Sequence, residues 1–450
     1  MGNYESLAIL LFIALAVYIF DRKNFRREGI LFLRRTQRGL DIIDSIAKKH
    51  PKLITFLADA GIVFSFGLLG LRYLFIEKKT GSFNRIRHYA SYFLLSSLFI
   101  YSIYGIFFVG IIDAFKIPVI YSGPVLSLLM AFTFLFGVSG YGFMTLFFGA
   151  VGILLSSVTG AVVESSIKLV LPVEVSADSD LPIFSVPIAE WLISILFILV
   201  VHEFSHAIVA RKEGIRVKSL GYGFFGPMPL GFAEPDEKEI KKSSSLTKTR
   251  IFGAGSFSNI LAASLILLLY FGTMTLGIFS GSVPLVDEGV YIRAVNSTMP
   301  AGILPVGGII TEVDGINTTN VSEFVAVMNT KGPDDNLTLI VDGKEYQLTL
   351  VEDPQNKTQG KMGIVVTQNR TMGPIGFFAS LVNWLVLLNI GIALANLFPL
   401  RPLDGGLMLE EVLIGAGIKN RKEAAQTISK MTLALLLVSL LAPWLLSMFA

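Results

Sequence analysis

The stretch PIAEWLISILFILVVHEFSHAIVA at residues 187–210 decides the fold, because it joins a long apolar run to a cluster of ionisable side chains. About 20 apolar residues suffice for a helix to cross a bilayer. Near its end the run contains His202-Glu203-Phe204-Ser205-His206, which four residues separate from Arg211 and Lys212. Ionisable groups at membrane depth are costly unless they pair or bind a metal. The stretch therefore predicts a membrane helix that carries a functional site.

The composition extends this prediction to the whole chain. Of the 450 residues, 53% are hydrophobic and 16% are charged, whereas about a quarter of the residues of a soluble domain are charged. We therefore expect a polytopic membrane protein with the lipid bilayer as its partner and no nucleic acid. The chain has no cysteine, which excludes disulfides, thiolate nucleophiles and cysteine metal sites. A zinc site must then use His, Asp or Glu.

Apolar runs of spanning length predict a polytopic α-helical fold with about eight membrane segments. They lie at residues 4–20, 54–76, 90–112, 124–163, 187–210, 251–278, 374–398 and 424–447. The first run is followed by basic residues and not by a small-residue cleavage site, so we expect a retained helix. The run at 124–163 is rich in glycine and is compatible with one long helix, two short ones or a re-entrant hairpin.

One polar segment, residues 285–368, differs from these runs and predicts an inserted α+β soluble domain. Alternating strand-like patterns occur at 290–295, 308–313, 337–341 and 346–350. Asp342-Gly343 is a hairpin signal between the last two, and residues 321–329 are typical of a short helix. The resulting division is an N-terminal membrane region of unassigned role and two membrane-core regions flanking the insert. Their ranges are 1–170, 187–278, 285–368 for the insert, and 374–450.

Charge predicts the orientation of the chain in the membrane. The loops at 21–52 and 211–250 carry ten and nine Lys and Arg, so both should be cytoplasmic. The insert carries eleven Asp and Glu against five Lys and Arg, which suits the extracytoplasmic side. Six N-x-S/T sequons lie in or beside the insert and none elsewhere, at Asn296, Asn317, Asn320, Asn336, Asn356 and Asn369.

Four basic residues at 77–89 conflict with that orientation. If 54–76 crosses the membrane fully, they cannot share a side with 21–52. Either 54–76 is re-entrant or interfacial, or one of these loops breaks the rule.

The His-Glu-x-x-His motif has the spacing of a zinc site. On a helix, His202 and His206 share one face, one turn apart. Glu203 then lies beside the metal, where it can act on a bound water. A catalytic site takes three protein ligands and leaves one position for water, so a third ligand is needed. The acidic residues in or near apolar runs are Asp59, Asp113, Glu164, Glu190 and Asp404.

Asp404 stands out by its context, Asn396-Leu397-Phe398-Pro399-Leu400-Arg401-Pro402-Leu403-Asp404-Gly405-Gly406. The prolines should break the helix of 374–398. Irregular backbone at membrane depth occurs where it lines a cavity or is buried in protein. The same pattern also fits a plain helix end followed by a turn.

The pairing of His-Glu-x-x-His with Asn-x-x-Pro-x-x-x-Leu-Asp-Gly resembles the site-2 protease family of intramembrane metalloproteases. The resemblance covers about residues 187–410. It implies Zn²⁺ bound by His202, His206 and Asp404, with Glu203 as catalytic acid and base. The family's glycine-and-asparagine motif is represented by Gly255 to Asn259, with Ser256 where that motif often has proline. The insert resembles a PDZ domain of the protease-associated kind, in its segments 299–310 and 313–315.

Other candidate residues have more than one interpretation. Asn259 and Asn396 are candidates for a hydrogen bond to the oxyanion or to the substrate backbone, or for satisfying helix carbonyls near a break. Gly223 and Gly226 lie in the glycine- and aromatic-rich segment 221–234. This segment is either a membrane-dipping β-loop that pairs with an extended substrate or a plain interfacial loop.

The function implied by the resemblance is cleavage of membrane-spanning substrates, of the single-span kind and including ones already cut once. We expect an integral protein of the cell membrane with its active site toward the cytoplasm. The insert would bind a free C-terminus, act as a size filter, or only stabilise the fold. The alternatives are a His-Glu-x-x-His protease of the prenyl-protein or quality-control type, whose third ligand is a glutamate, and a non-enzymatic scaffold that uses the PDZ-like domain.

Overall fold

A computed structural model describes residues 5–78, 89–97, 123–159, 167–173, 183–275, 286–296, 298–353, 356–371 and 373–447. The chain divides into two compact units. The first, which we call the membrane core, comprises Met1–Leu269 and Val382–Ala450; the second, which contains the insert, comprises Tyr270–Leu381.

The membrane core is built mainly from helices. Before the insert, its helices are α1 (Glu5–Asp21), α2 (Leu40–Lys49), α3 (Pro51–Glu77), α4 (Gly123–Thr159), α5 (Ile188–Lys212), α6 (Glu237–Lys242) and α7 (Ser245–Thr275). The insert contributes α8, and the helices after it are α9 (Gly373–Asn396), α10 (Asp404–Val412) and α11 (Arg421–Ser447). Residues 89–97 are also helical. In the described part of the chain, α3, α4, α5, α7, α9 and α11 are long and apolar enough to cross a membrane. This confirms the polytopic helical class; α1 has 17 residues, and most of the run at 90–112 lies outside the described residues.

α3 is a helical hairpin and not a straight span. A straight helix would separate residues 59 and 78 by about 28 Å, yet the Lys78 ammonium donates a hydrogen bond to the Asp59 carboxylate. The chain reverses at Gly67, where φ is 56° and ψ is −136°. α3 therefore doubles back on itself, which favours the re-entrant alternative for 54–76; residues 79–88 of the basic segment lie outside the described residues.

A buried ion network ties α3 to α7. Asp59 is fully buried and accepts hydrogen bonds from Arg250 Nε at 2.8 Å and Nη2 at 3.2 Å. The Tyr92 hydroxyl donates to the same carboxylate at 3.2 Å, and Arg250 Nη1 lies 3.0 Å from Glu213. Because its oxygens are already paired with cations, Asp59 is a structural residue and not a metal ligand.

A four-stranded antiparallel sheet lies beside α5. Its strands are β1 (Phe25–Glu28), β2 (Leu31–Thr36), β5 (Val217–Phe225) and β6 (Met228–Pro235), in the order β1-β2-β5-β6. A separate parallel pair is formed by β3 (Leu169–Leu171) and β4 (Ile183–Ser185). The strands β1 and β2 come from the region of unassigned role, and β2 covers one edge of β5 from Leu31↔Phe225 to Thr36↔Leu220.

The insert is a β-rich unit with its own apolar core. Its elements are β7 (Val286–Val295), β8 (Ile309–Val313), β9 (Ile316–Asn317), α8 (Val321–Met328), β10 (Asn336–Val341), β11 (Lys344–Thr349), β12 (Val351–Asp353), β13 (Asn356–Lys361) and β14 (Ile364–Thr371). The main sheet has the order β11-β10-β8-β7-β14. The four predicted strands and the short helix are confirmed, whereas β12, β13 and β14 were not predicted. Asp342 and Gly343 both have positive φ, as the predicted tight hairpin between β10 and β11 requires.

Candidate metal centre

Two histidines of α5 meet on one helix face. α5 is unbroken from Ile188 to Lys212, so the four-residue spacing alone brings the imidazoles together. The Nε2 atoms of His202 and His206 are 3.1 Å apart. Their side chains are 10% and 13% exposed, which keeps both rings away from bulk water.

Asp404 reaches the same point from a break in the chain. α9 ends at Asn396, an irregular segment containing Pro399 and Pro402 follows, and α10 begins at Asp404. A Cβ at Gly405 would lie 2.2 Å from the carbonyl oxygen of Leu397, so only glycine allows this close turn. Asp404 Oδ2 consequently lies 3.3 Å from His202 Nε2 and 3.6 Å from His206 Nε2.

These three donors fit a zinc ion. Zinc bound at 2.0–2.2 Å in tetrahedral geometry requires its ligand atoms to be about 3.4 Å apart, and the observed separations are 3.1, 3.3 and 3.6 Å. A Cβ at Gly255 of α7 would lie 2.4 Å from His206 Nε2 and 2.6 Å from His202 Nε2. Among the described residues, His202, His206 and Asp404 form the group of His, Asp and Glu side chains that can hold a metal.

The surroundings orient each donor. His206 Nδ1 lies 2.6 Å from the carbonyl oxygen of Ile251, so Nδ1 carries the proton and Nε2 presents its lone pair. The Ser256 hydroxyl donates to Asp404 Oδ2 at 2.9 Å. Ser256, the departure from the family pattern, therefore supports the Asp404 carboxylate.

The Asn259 side chain lies against His202. It is fully buried, its Nδ2 is 3.2 Å from His202 Nδ1, and its Oδ1 has no partner among the described residues. When the amide is turned so that Oδ1 faces the ring, that oxygen accepts the Nδ1 proton and leaves His202 Nε2 free for a metal. The described contact of Asn259 is therefore with His202, and its hydrogen bond to the substrate or the oxyanion stays a prediction.

Glu203 points to the open side of the cluster. Its Oε2 accepts a hydrogen bond from the backbone N–H of Ala233 in β6 at 2.8 Å. Glu203, His206 and Asp404 line a cavity of about 410 Å³. Charged side chains also line this cavity, among them Lys218, Glu237 and Lys238, so the cavity beside the cluster is polar.

The glycine-rich segment forms the hairpin β5–β6. Gly223 lies in the inner strand β5, paired with Leu33 on one side and Leu230 on the other. Gly226 lies in the turn with φ 57°. Neither glycine is placed to pair with an added strand, and substrate pairing by this segment stays a prediction. The sheet edge that no described strand covers belongs to β6, whose Ala233 N–H donates to Glu203.

Asn396 is the last residue of α9 and is half-buried. It is not among the residues that line the cavity. No described hydrogen bond involves its side chain, so its proposed contact with the oxyanion stays a prediction.

Sequence reasoning missed three groups at this site: the Ile251 carbonyl, the Ala233 N–H and the Ser256 hydroxyl. Two are backbone atoms, which leave no residue-type signal. Ser256 does carry one, because a hydroxyl directly follows Gly255 at the position where the family motif often has proline.

Known proteins resemble this chain over parts of its length. The sequence profile of peptidase family M50 matches residues 190–440. An uncharacterized protein of Methanocaldococcus jannaschii is 27% identical over 49% of this chain and 56% of its own length. A probable membrane metalloprotease of the Arabidopsis thaliana chloroplast is 26% identical over 40% of this chain and 47% of its own.

A membrane-bound transcription factor site-2 protease homolog of Arabidopsis thaliana is 27% identical over 31% of this chain and 26% of its own length. The chain thus spans about half the length, or less, of the curated relatives it matches. Among solved structures, the PDZ domain of an SdrC-like protein from Listeria innocua matches 18% of this chain and 93% of its own, with 29% identity and a TM-score of 0.16.

Proposed function

This chain belongs to peptidase family M50, and on that premise we propose that it is an intramembrane zinc metalloprotease that hydrolyses peptide bonds of membrane-spanning proteins. The observation that carries the proposal is the meeting of His202, His206 and Asp404 at ligand spacing, with Glu203 beside them. A cluster built on Asp404 favours this reading over the His-Glu-x-x-His proteases that take a glutamate from a later helix. It also favours an enzyme over a scaffold, because a scaffold has no use for a carboxylate aimed at an open metal face.

His202, His206 and Asp404 would hold the ion, and a bound zinc supplies a Lewis acid and an acidified water. Glu203 is placed to take a proton from the attacking water and to pass it to the leaving amine. The Ala233 N–H fixes the Glu203 carboxylate in the cavity, and Ser256 keeps Asp404 oriented.

The edge of β6 that no described strand covers supports a mode of substrate binding by strand addition. A helical peptide bond is shielded by its own hydrogen bonds, so the substrate has to unwind before cleavage. Strand addition to β6 would hold the unwound segment by main-chain hydrogen bonds. Because Ala233 donates its N–H to Glu203, a segment added to β6 lies beside the catalytic carboxylate and takes its main-chain hydrogen bonds from the other residues of the strand.

The charge pattern supports the finer topology of the proposal. The basic loops at 21–52 and 211–250 face the cytoplasmic side of the cell membrane, and the acidic insert faces the opposite side. We infer that the insert screens single-span substrates, either by binding a C-terminus exposed by an earlier cut or by excluding bulky domains.

A cleavage assay on the purified full chain in liposomes tests the proposal. With a single-span substrate, Glu203→Gln should lower the rate at least about 100-fold, the low end of a general-base contribution. Glu237→Gln is the matched control, since Glu237 lines the same cavity away from the cluster, and it should keep its activity. A chelator should stop cleavage and zinc should restore it.

Metal analysis separates the parts of the proposal. We expect one zinc per chain, lost in Asp404→Ala. Folded protein that binds no zinc, or unchanged cleavage by Glu203→Gln, would overturn the proposed function.

A further inference from the structure

The N-terminal region contains an internal repeat. Phe64-Ser65-Phe66-Gly67-Leu68-Leu69-Gly70 in α3 and Phe134-Leu135-Phe136-Gly137-Val138-Ser139-Gly140 in α4 share the pattern Phe-x-Phe-Gly-x-x-Gly. The pattern occurs twice in the sequence, and each copy lies in the middle of an apolar run.

Both copies break their helix in the same way. The first glycine has φ 56° and ψ −136° in α3 and φ 65° and ψ −159° in α4. This region of backbone space is open to glycine and closed to other residues. The second glycine, Gly70 or Gly140, then approaches the carbonyl oxygen eight residues before it, with a Cβ-to-oxygen distance of 2.6 Å or 3.2 Å. The break that makes α3 a hairpin is therefore present in α4 as well.

The two breaks meet each other. A Cβ on Gly67 would lie 2.6 Å from the backbone nitrogen of Gly137, and a Cβ on Gly137 would lie 2.5 Å from that of Gly67. The reciprocal contacts relate the copies by an approximate two-fold axis, and the backbones touch where neither residue has a side chain.

Two of the positions at which the α4 copy differs from the α3 copy contact the segment that precedes Asp404. Ser139 replaces the equivalent of Leu69, and its hydroxyl donates to the carbonyl oxygen of Leu397 at 2.5 Å. Gly142 replaces the equivalent of Arg72, and a Cβ there would lie 2.4 Å from the ring of Phe398. The Leu397 carbonyl in turn packs against Gly405, next to Asp404.

The α3 copy contacts the same segment at its other end. A Cβ on Gly415 would lie 3.0 Å from the Leu69 oxygen and 3.1 Å from the Tyr73 nitrogen. Gly415 follows α10, and Leu397 and Phe398 precede it. The paired hairpins thus contact both flanks of the short helix that begins with Asp404.

We propose that the paired Phe-x-Phe-Gly-x-x-Gly hairpins clamp α10 and its flanks, with Ser139 as a positioning residue that fixes the Asp404 carboxylate for the metal. The clamp explains why the metal ligand can lie on a short helix after an irregular segment, where the chain alone gives little rigidity. This inference rests on the proposed metal site and gives the N-terminal region a role in it.

Ser139→Ala tests the clamp. We expect the zinc affinity, measured by chelator competition without substrate, to fall at least about tenfold, as is typical when a group supporting a metal ligand is lost. Ser139→Thr, which retains the hydroxyl, should restore it. Thr133→Val is the matched control, because the Thr133 hydroxyl is buried in the same hairpin but bonds to Leu129 of its own helix.

Hydrogen–deuterium exchange on the zinc-free protein tests the clamp independently of metal. Exchange over residues 397–412 should be faster in Ser139→Ala and unchanged in Thr133→Val, with the insert unaffected in both. Unchanged exchange and unchanged zinc affinity in Ser139→Ala would overturn the clamp and leave the protease proposal standing. If the wild-type chain binds no zinc, the protease proposal fails and the exchange result alone decides the clamp.

Discussion

The membrane core and the insert place their polar and apolar residues in opposite ways. Among the described residues, the buried polar side chains belong to the membrane core, with Thr318 of the insert as the exception. The core also exposes many large apolar side chains, such as Phe12 and Leu268, at 72% and 69%. The insert instead encloses an apolar cluster that includes Val290, Ile310 and Leu339, each fully buried.

The difference reflects the two solvents. In water, burial of apolar area drives folding. In lipid that driving force between helices is absent, so packing and polar contacts hold the helices together. The membrane core can therefore bury a carboxylate, two imidazoles and an arginine, and these are the groups that its proposed chemistry and its stability require.

The largest expected effect is on the ion network of the core. Asp59→Asn leaves Arg250 buried without its bidentate partner, and removal of one partner of a buried pair costs about 3–5 kcal/mol. Asp44→Asn is the matched control, because the Asp44–Arg211 pair is partly exposed and its loss should cost about 1 kcal/mol or less. Thermal unfolding in detergent measures both. Equal effects would show that burial in the core does not strengthen such pairs.

The second effect concerns the apolar core of the insert. Leu339→Ala should destabilise the insert by about 3 kcal/mol, because Leu339 is fully buried and the change leaves a cavity. Val365→Ala, at a position 56% exposed, should change stability little. Hydrogen exchange on the full chain should show lost protection in the insert with the zinc content unchanged. Loss of zinc in Leu339→Ala would mean that the two units do not maintain separate stabilities.

A smaller effect is expected at the start of α8. The Asn320 side chain accepts a hydrogen bond from the Glu323 N–H at 2.9 Å, so Asn320→Ala should cost the insert about 1 kcal/mol. Asn317→Ala, in the exposed strand β9, should cost less.

The Thr319 backbone N–H and hydroxyl hold the pKa of Glu323 below its usual value. The stability that these hydrogen bonds to Glu323 contribute is present above the ordinary glutamate pKa, and it is lost as the pH falls through the lowered pKa of Glu323. Hydrogen exchange of α8 as a function of pH measures both effects, and a helix equally protected in acid would contradict the pH dependence.

The smallest effect on stability is expected from glycosylation of the insert, which directly tests the side of the membrane on which the insert lies. Of the seven asparagines in residues 285–371, six lie in N-x-S/T sequons, whereas none of the other eight in the chain does. Only a translocated surface can be modified. In a host that glycosylates asparagine, we expect sugar on the insert, reduced by Asn296→Gln and Asn356→Gln, both exposed, and unaffected by Asn329→Gln. Mass spectrometry that finds the insert unmodified would contradict its extracytoplasmic placement.

The features that the sequence predicted are those with a local signal. The helix of residues 187–210 and the face shared by His202 and His206 follow from spacing alone. Prolines and glycines marked the broken segment around Asp404, and the resemblance to the site-2 protease family implied its role as a ligand. The doubling back of α3 depends on one glycine in an unbroken apolar run, so its length predicted a span. The pairing of β2 with β5 joins segments nearly 200 residues apart, and no local pattern records such a contact. For Asn259 the sequence suggests that an amide is near the histidines but not which side of the ring it occupies.

The edge of β6 that no described strand covers limits how many residues of an added strand it can bind. In an antiparallel strand, alternate residues turn their N–H and C=O groups to the same side. Since the Ala233 N–H points away from β5, residues 229, 231, 233 and 235 face outward. Two of these, Pro229 and Pro235, have no N–H to donate. Ala233 already donates its N–H to Glu203, so of these four residues only Gly231 could donate to an added strand. Such a short edge is a poor template for strand aggregation, and under the proposed function it would hold only a few unwound residues and not read a long sequence match.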